Sequence, residues 1–162
     1  MLGVVLEEVL TWVRSLPGSQ HLRALVVFDE VYGFLPPHPN TPPTKRPLVA
    51  LMKQARAFGV GVLIATQNPM DLDYRALSNA GLWCLGRLQT DADRARVLDG
   101  LVGSGAGEPE ELARLLKQMK PRWFLMRDVH DARGTMFLQP RWAMSFLRGP
   151  MTRAEIKRAR GQ

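Results

Sequence analysis

Two adjacent carboxylates, Asp29 and Glu30, follow directly on the apolar run Leu25-Val26-Val27-Phe28. Four apolar residues in a row read as a strand buried on both faces, the habit of a central parallel strand. In open α/β sheets ligands bind outside the carboxyl ends of the strands. The pair therefore falls on a rim where chemistry can be done. An Asp there can hold a magnesium ion, directly or through water. A Glu beside it can orient and deprotonate an attacking water. A strand that ends in Asp-Glu before a loop is also an ordinary surface feature, so the pair needs context.

The context is a second apolar run, Val60 to Ala65, which ends in Thr66-Gln67-Asn68-Pro69. Two such strands joined by a helix-length crossover lie parallel, with their carboxyl ends on one edge. Gln67 is then expected close to Asp29 and Glu30, where an amide can hold an attacking water and sense a terminal phosphate. The alternative for Gln67 is a polar strand end that caps a helix.

The elements that must position these residues are legible in outline. Leu2 to Leu16 reads as an amphipathic helix, with Leu2, Val5, Leu6, Val9, Leu10, Val13 and Leu16 at three-four spacing and Pro17-Gly18 as its stop. Six prolines between Pro36 and Pro47 exclude helix and central strand there. That loop is expected to be stiff and exposed, with His38 in solvent. Pro47 opens a helix to about Phe58, with Leu48, Leu51, Met52 and Ala55 inward. A short helix is expected over 71–78. A third strand is expected over Leu82 to Leu88, with Trp83, Cys84 and Leu85 buried. Asp91 to Leu101 and Glu108 to Met119 read as helices flanking a glycine-rich hinge, Gly100 to Gly107. Trp123 to Val129 and Thr135 to Gln139 read as a hairpin. Thr152-Arg153-Ala154-Glu155 opens a last helix in capping-box form.

The chain has 162 residues, 46% of them hydrophobic, enough for one domain with its own core. A single cysteine excludes an internal disulfide and suits a cytoplasmic location. No apolar run approaches the roughly 20 residues of a membrane span. The start has no signal-peptide form, because Glu7-Glu8 interrupts it and no basic segment leads it. The net charge is +7, and residues 139–162 hold +5 of it, six basic residues against Glu155. Arg141, Arg148, Arg153, Lys157, Arg158 and Arg160 favour a polyanion or an acidic face of a neighbouring subunit. A solvated helix face is the alternative for the last ten residues.

The run from Leu25 to Leu101 resembles the second half of the motor domain of the HerA/FtsK superfamily of DNA-pumping ATPases, the bacterial HerA-like proteins in particular. The resemblance is carried by the Walker B run Leu25 to Glu30, by Lys53-Gln54-Ala55-Arg56-Ala57-Phe58-Gly59-Val60-Gly61 and by Ile64-Ala65-Thr66-Gln67-Asn68-Pro69. Asp91-Ala92-Asp93-Arg94 with Val97-Leu98-Asp99 adds to it, as do Arg141-Trp142-Ala143-Met144-Ser145 and Leu147-Arg148-Gly149-Pro150. It implies a three-layer α/β core of the P-loop NTPase type, mostly parallel, with helices on both faces. Residues 1–129 would be the C-terminal part of that core, and 130–162 a hairpin and basic helical extension. It also implies ATP and magnesium as cofactors, double-stranded DNA as partner, a homo-hexamer and a nuclease companion. Finally it implies an arginine finger acting on the neighbouring subunit's nucleotide, with Arg87 and Arg94 as the two candidates.

One element of the family pattern is missing. The phosphate-cradling loop G-x-x-x-x-G-K-[ST] does not occur, since Lys45, Lys53, Lys117, Lys120 and Lys157 all lack a preceding glycine. Without its backbone N–H groups and lysine the phosphates lose their seat. The expectation is a C-terminal portion of a longer ATPase that does not hydrolyse ATP by itself. Two other readings share the sequence: a non-catalytic nucleic-acid-binding or assembly module, and a fragment of a coupling ATPase of conjugation or secretion.

Overall fold

The computed structural model describes residues 1–73, 78–102, 109–131, 134–144 and 149–161. Helix α1 (Leu2–Ser15) buries Leu6, Leu10 and Val13 at the expected spacing. Val5, expected on the same stripe, is half exposed. Strand β1 (Ser19–Phe28) starts well before the apolar run and stops one residue short of Asp29. Helix α2 (Lys45–Gln54) buries Pro47, Leu48 and Leu51, then tightens into a 3₁₀ turn at Ala55–Ala57. Strand β2 (Phe58–Ile64) follows at once. Gly59 at its start has φ 73°, and a Cβ there would lie 2.3 Å from the His21 carbonyl oxygen, so only glycine fits.

The two strands pair in parallel, Ala24 opposite Val60 through Phe28 opposite Ile64. Ala24, Val26, Phe28, Val62 and Ile64 pack onto the core that α1 and α2 supply. Pleating sends the intervening residues to the other face, and there Leu25, Val27 and Leu63 are 52%, 58% and 47% exposed, with Leu22 beside them at 70%. The expectation of a strand buried on both faces is therefore corrected. Within the described residues helices cover one face of this sheet, giving two layers where three were expected.

The third expected strand is β3 (Leu82–Leu85), shorter than read and part of a different sheet. It pairs antiparallel with β4 (Phe124–Asp128), which pairs antiparallel with β5 (Thr135–Leu138). The β4–β5 pair is the expected hairpin. One face of this sheet is sealed by α3 (Asp91–Val102) and α4 (Pro109–Gln118), through Trp83, Val97, Leu112, Leu116, Met119 and Leu125. A sheet covered on one side needs alternation, so Trp83 is buried and Cys84, expected inside, is exposed. Among the described residues the parallel part of the fold is thus β1 and β2.

The connection from β2 carries a 3₁₀ turn, Pro69–Asp71, after which Leu72 is extended. This replaces the start of the helix expected over 71–78, whose residues 74–77 lie outside the described residues. The glycine-rich hinge falls mostly outside them too. The proline-rich loop is exposed at its tip, including His38, but its ends are pinned. Val31 and Leu35 are buried, Thr44 Oγ1 donates to the Phe34 carbonyl (2.8 Å), and Lys45 Nζ pairs with the buried Asp73 at 2.6 Å. Helix α5 (Arg153–Ala159) has the expected capping box between Thr152 and Glu155, and none of its residues is buried.

Candidate functional site

The carboxyl ends of β1 and β2 meet on one edge. Beyond the last paired residues the ladder continues irregularly. The Ala65 N–H donates to the Phe28 carbonyl (2.9 Å), as a regular parallel pair requires, but the Ala65 carbonyl accepts from Val31 (3.0 Å) rather than from Glu30. One extra residue is therefore accommodated at the tip, and Glu30 takes it up with φ 60°. A non-glycine residue in the left-handed region is uncommon. Bulges next to active sites re-aim side chains. Here the bulge leaves Asp29 exposed and Glu30 half-buried.

Facing them, Thr66 Oγ1 lies 3.4 Å from Glu30 Oε1 and 3.3 Å from the Asn68 carbonyl, while the Asn68 N–H donates back to Thr66 Oγ1 (3.2 Å). Asn68 Oδ1 accepts from Met70 N (3.0 Å) and caps the 3₁₀ turn. The polar tip of β2 is thus a tight, self-bonded loop that touches Glu30 through Thr66. Gln67 is on the same edge, exposed, and makes no side-chain hydrogen bond among the described residues. Thr66 is the member of the site that sequence reasoning passed over, although a hydroxyl at a strand end beside two carboxylates was there to be read.

The donors at this edge are carboxylate, hydroxyl and amide oxygens. Among the described residues no group of three or more His, Cys, Asp or Glu side chains is placed to hold a metal. A sparse oxygen set of this kind suits magnesium, which binds through one or two carboxylates plus substrate phosphates, and does not suit an all-protein cage.

The two candidate arginines differ. Arg94, on α3, donates from Nη1 to the Leu88 carbonyl (2.9 Å) and pairs through Nη2 with Asp91, one turn back. The Arg94 hydrogen bond, and then its charge, hold the Asp91 carboxyl below the usual range, with a smaller contribution from Lys117. Arg87, just beyond β3, is exposed and has no such partner among the described residues. Of the basic tail, Arg141, Arg153, Lys157, Arg158 and Arg160 are exposed, and Arg148 lies outside the described residues. Trp142 in the same tail is 87% exposed and carries the Arg122 guanidinium 3.9 Å from its ring centre. No hydrogen bond or ion pair joins the tail arginines to Asp29 or Glu30 among the described residues.

No family model and no curated protein matches the chain. Solved structures do. The genome-packaging NTPase B204 of Sulfolobus turreted icosahedral virus 2, in complex with ATP-γS, is similar with a TM-score of 0.58 and 19% identity, over 73% of this chain and 52% of that one. The same NTPase with AMPPCP gives 0.56 and 21%, over 73% and 55%. The DNA-packaging ATPase of Sulfolobus turreted icosahedral virus gives 0.55 and 21%, over 73% and 52%. The chain thus has the fold of a part of these NTPases and spans little more than half their length.

Proposed function

We propose that this chain is the C-terminal part of the motor domain of a HerA/FtsK-like ATPase that moves double-stranded DNA as a ring of six identical subunits. The observation that carries the reading is the meeting of Asp29, Glu30, Thr66 and Gln67 at the carboxyl ends of two parallel strands, with Glu30 held in a left-handed bulge. The half-bare sheet supports it as well. A two-stranded parallel sheet with, among the described residues, both outer edges unpaired and one apolar face open is an incomplete core, because parallel sheets are covered on both faces. The likeness to about half of a packaging NTPase fits a parent that supplies the remaining strands and the phosphate loop.

In this reading Asp29 holds magnesium at the exposed rim. The bound ion supplies neutralising charge to the phosphate oxygens. Glu30 takes the proton of the attacking water. Thr66 steadies the Glu30 carboxylate, and the unengaged Gln67 amide orients the water and senses the terminal phosphate. Arg94 is committed to Asp91 and Leu88, so Arg87 is the arginine available to reach a neighbouring subunit's nucleotide. The basic tail, with Arg141, Arg148, Arg153, Lys157, Arg158 and Arg160, contacts DNA or an adjacent subunit.

The test compares this chain with the complete protein by calorimetry of Mg-ATP binding. The 162-residue chain alone binds no ATP at micromolar concentration. The complete protein binds it, and Asp29→Asn weakens both binding and turnover. Micromolar binding by the isolated chain, or unaltered binding in the Asp29→Asn protein, contradicts the reading.

A further inference from the structure

The sheet of β3, β4 and β5 has a second face, turned away from α3 and α4. On the covered face Trp83, Leu85 and Leu125 pack into the core. Side chains alternate along a strand, so Cys84, Met126 and Met136 stand on the other face. Cys84 is directly opposite Met126, and Met126 is directly opposite Met136. Directly opposed residues of an antiparallel pair have Cβ atoms about 4.5–5.5 Å apart on one face. Three sulfur side chains from three neighbouring strands are thus side by side. Cys84 is exposed, Met126 and Met136 are half-buried, and neither methionine belongs to the core beneath the helices.

The surroundings decide what such a row can hold. Leu82 and Leu138, both exposed, flank it, as does Phe124, whose ring edge lies against Gly86. Harder donors at this sheet are engaged: Asp128 Oδ1 accepts from the His130 N–H (2.9 Å), and His130 Nε2 lies 3.0 Å from Arg56 Nη1. The donors on offer are therefore one thiol and two thioethers inside an apolar rim. Magnesium and calcium ask for oxygens, and zinc asks for imidazoles, carboxylates or several thiolates. A thiolate with thioethers selects a soft ion, above all Cu(I). Methionine is unbranched and its sulfur polarizable, so it can turn toward an ion held on the next strand. An apolar shell limits the access of water to a metal.

We propose that Cys84, Met126 and Met136 form a binding site for a soft monovalent cation of the Cu(I) type, with Cys84 and Met126 as the adjacent pair and Met136 closing the site from the outer strand. Binding exchanges a proton for the ion. The S–H bond of Cys84 breaks, the proton leaves to solvent, the sulfur–metal bond forms, and no electron is transferred. The site contains none of Asp29, Glu30, Thr66 and Gln67, and it does not rest on the motor reading.

The test titrates the reduced 162-residue chain, isotopically labelled in its methionine methyl groups, with Ag(I) as a redox-inert stand-in for Cu(I). The Met126 and Met136 methyl signals shift and saturate at one equivalent, ahead of those of the exposed Met144 and Met151. Zinc at the same concentration leaves them in place. Competition with a chromogenic Cu(I) chelator, without oxygen, then reads the affinity. Cys84→Ser abolishes binding. Met126→Leu and Met136→Leu each weaken it at least about tenfold, the lower end of the loss seen when even an outer partner of a metal ligand is removed. Leucine keeps the volume, so the sheet survives the change. Met144→Leu with Met151→Leu leaves the affinity unaltered. A lone thiol also takes soft ions, so the methionines decide the matter. Unmoved Met126 and Met136 methyls, or an affinity in both leucine variants equal to that of the parent chain, would mean that Cys84 binds without them and overturns the proposal. Equal shifts with zinc overturn it too. No arm depends on nucleotide, so failure here is distinct from failure of the motor reading.

Discussion

Replacing Glu30 tests whether the strand tip is strained in solution. At an ordinary position glycine is less stable than alanine by roughly 0.5–1 kcal/mol, because glycine loses more backbone freedom on folding. Residue 30 has φ 60°, where a side chain costs about 1–2 kcal/mol that glycine does not incur. Subtracting the first effect from the second leaves Glu30→Gly more stable than Glu30→Ala by roughly 0.5–1 kcal/mol. Both variants lose the 3.4 Å contact with Thr66, so it cancels in the comparison. Against the parent, Glu30→Ala keeps the strain and loses only that long bond, a change of about 0.5 kcal/mol. Equilibrium urea unfolding of the isolated chain reads the difference, and with a slope of about 1–3 kcal/mol per molar the glycine midpoint lies roughly 0.2–1 M higher. An alanine variant as stable as the glycine variant, or more so, refutes the argument. Residue 30 would then not hold the left-handed conformation, and the bulge that aims its carboxylate would not exist.

Further outcomes follow from other contacts. Lys45→Met strands the buried Asp73 and costs about 2–3 kcal/mol in urea unfolding, below the full range for broken buried pairs because Asp73 keeps other interactions; a loss under about 1 kcal/mol would mean that the pair is open to solvent. Arg94→Gln removes the partner that depresses Asp91, so its carboxyl titrates higher by NMR. The sign follows: a depressed carboxyl stabilises the fold above its unfolded pKa, and that stability is lost as pH falls through the folded value, so the variant is less sensitive to acid below about pH 4. An unmoved Asp91 titration would place Arg94 elsewhere. Leu25→Gln and Val27→Thr, at half-exposed positions, each cost no more than about 1 kcal/mol in the isolated chain and, on the proposal that a longer parent lays a second layer over them, at least twice that in the parent; equal costs in both would contradict that proposal.

The parallel pair was legible because apolar runs of strand length flank a helix with Leu48 and Leu51 on one stripe, and crossovers of that kind have one outcome. The capping box at Thr152 was legible because its two hydrogen bonds depend on spacing alone. What the runs could not convey was what covers them. Leu25-Val26-Val27-Phe28 reads as doubly buried, yet Leu25 and Val27 are more than half exposed. The apolar residues of β3 say equally little about its direction, which is set by its partner β4, forty residues on. The bulge at Glu30 had no signal, since no glycine or asparagine marks it. The difference between Arg87 and Arg94 did have one: Asp91 stands three residues before Arg94, the spacing of neighbours on a helix face.

The central claim is that Glu30 is the base that activates water, and turnover of ATP by the complete protein carrying Glu30→Gln tests it most directly. The amide keeps the shape and the reach to Thr66 but cannot take a proton. Turnover should fall by about 10²–10⁴-fold, the range of general-base contributions, while ATP binding, assembly and DNA binding are retained. Turnover within a few-fold of the parent, with those three properties intact, would make Glu30 a structural acid and contradict the account.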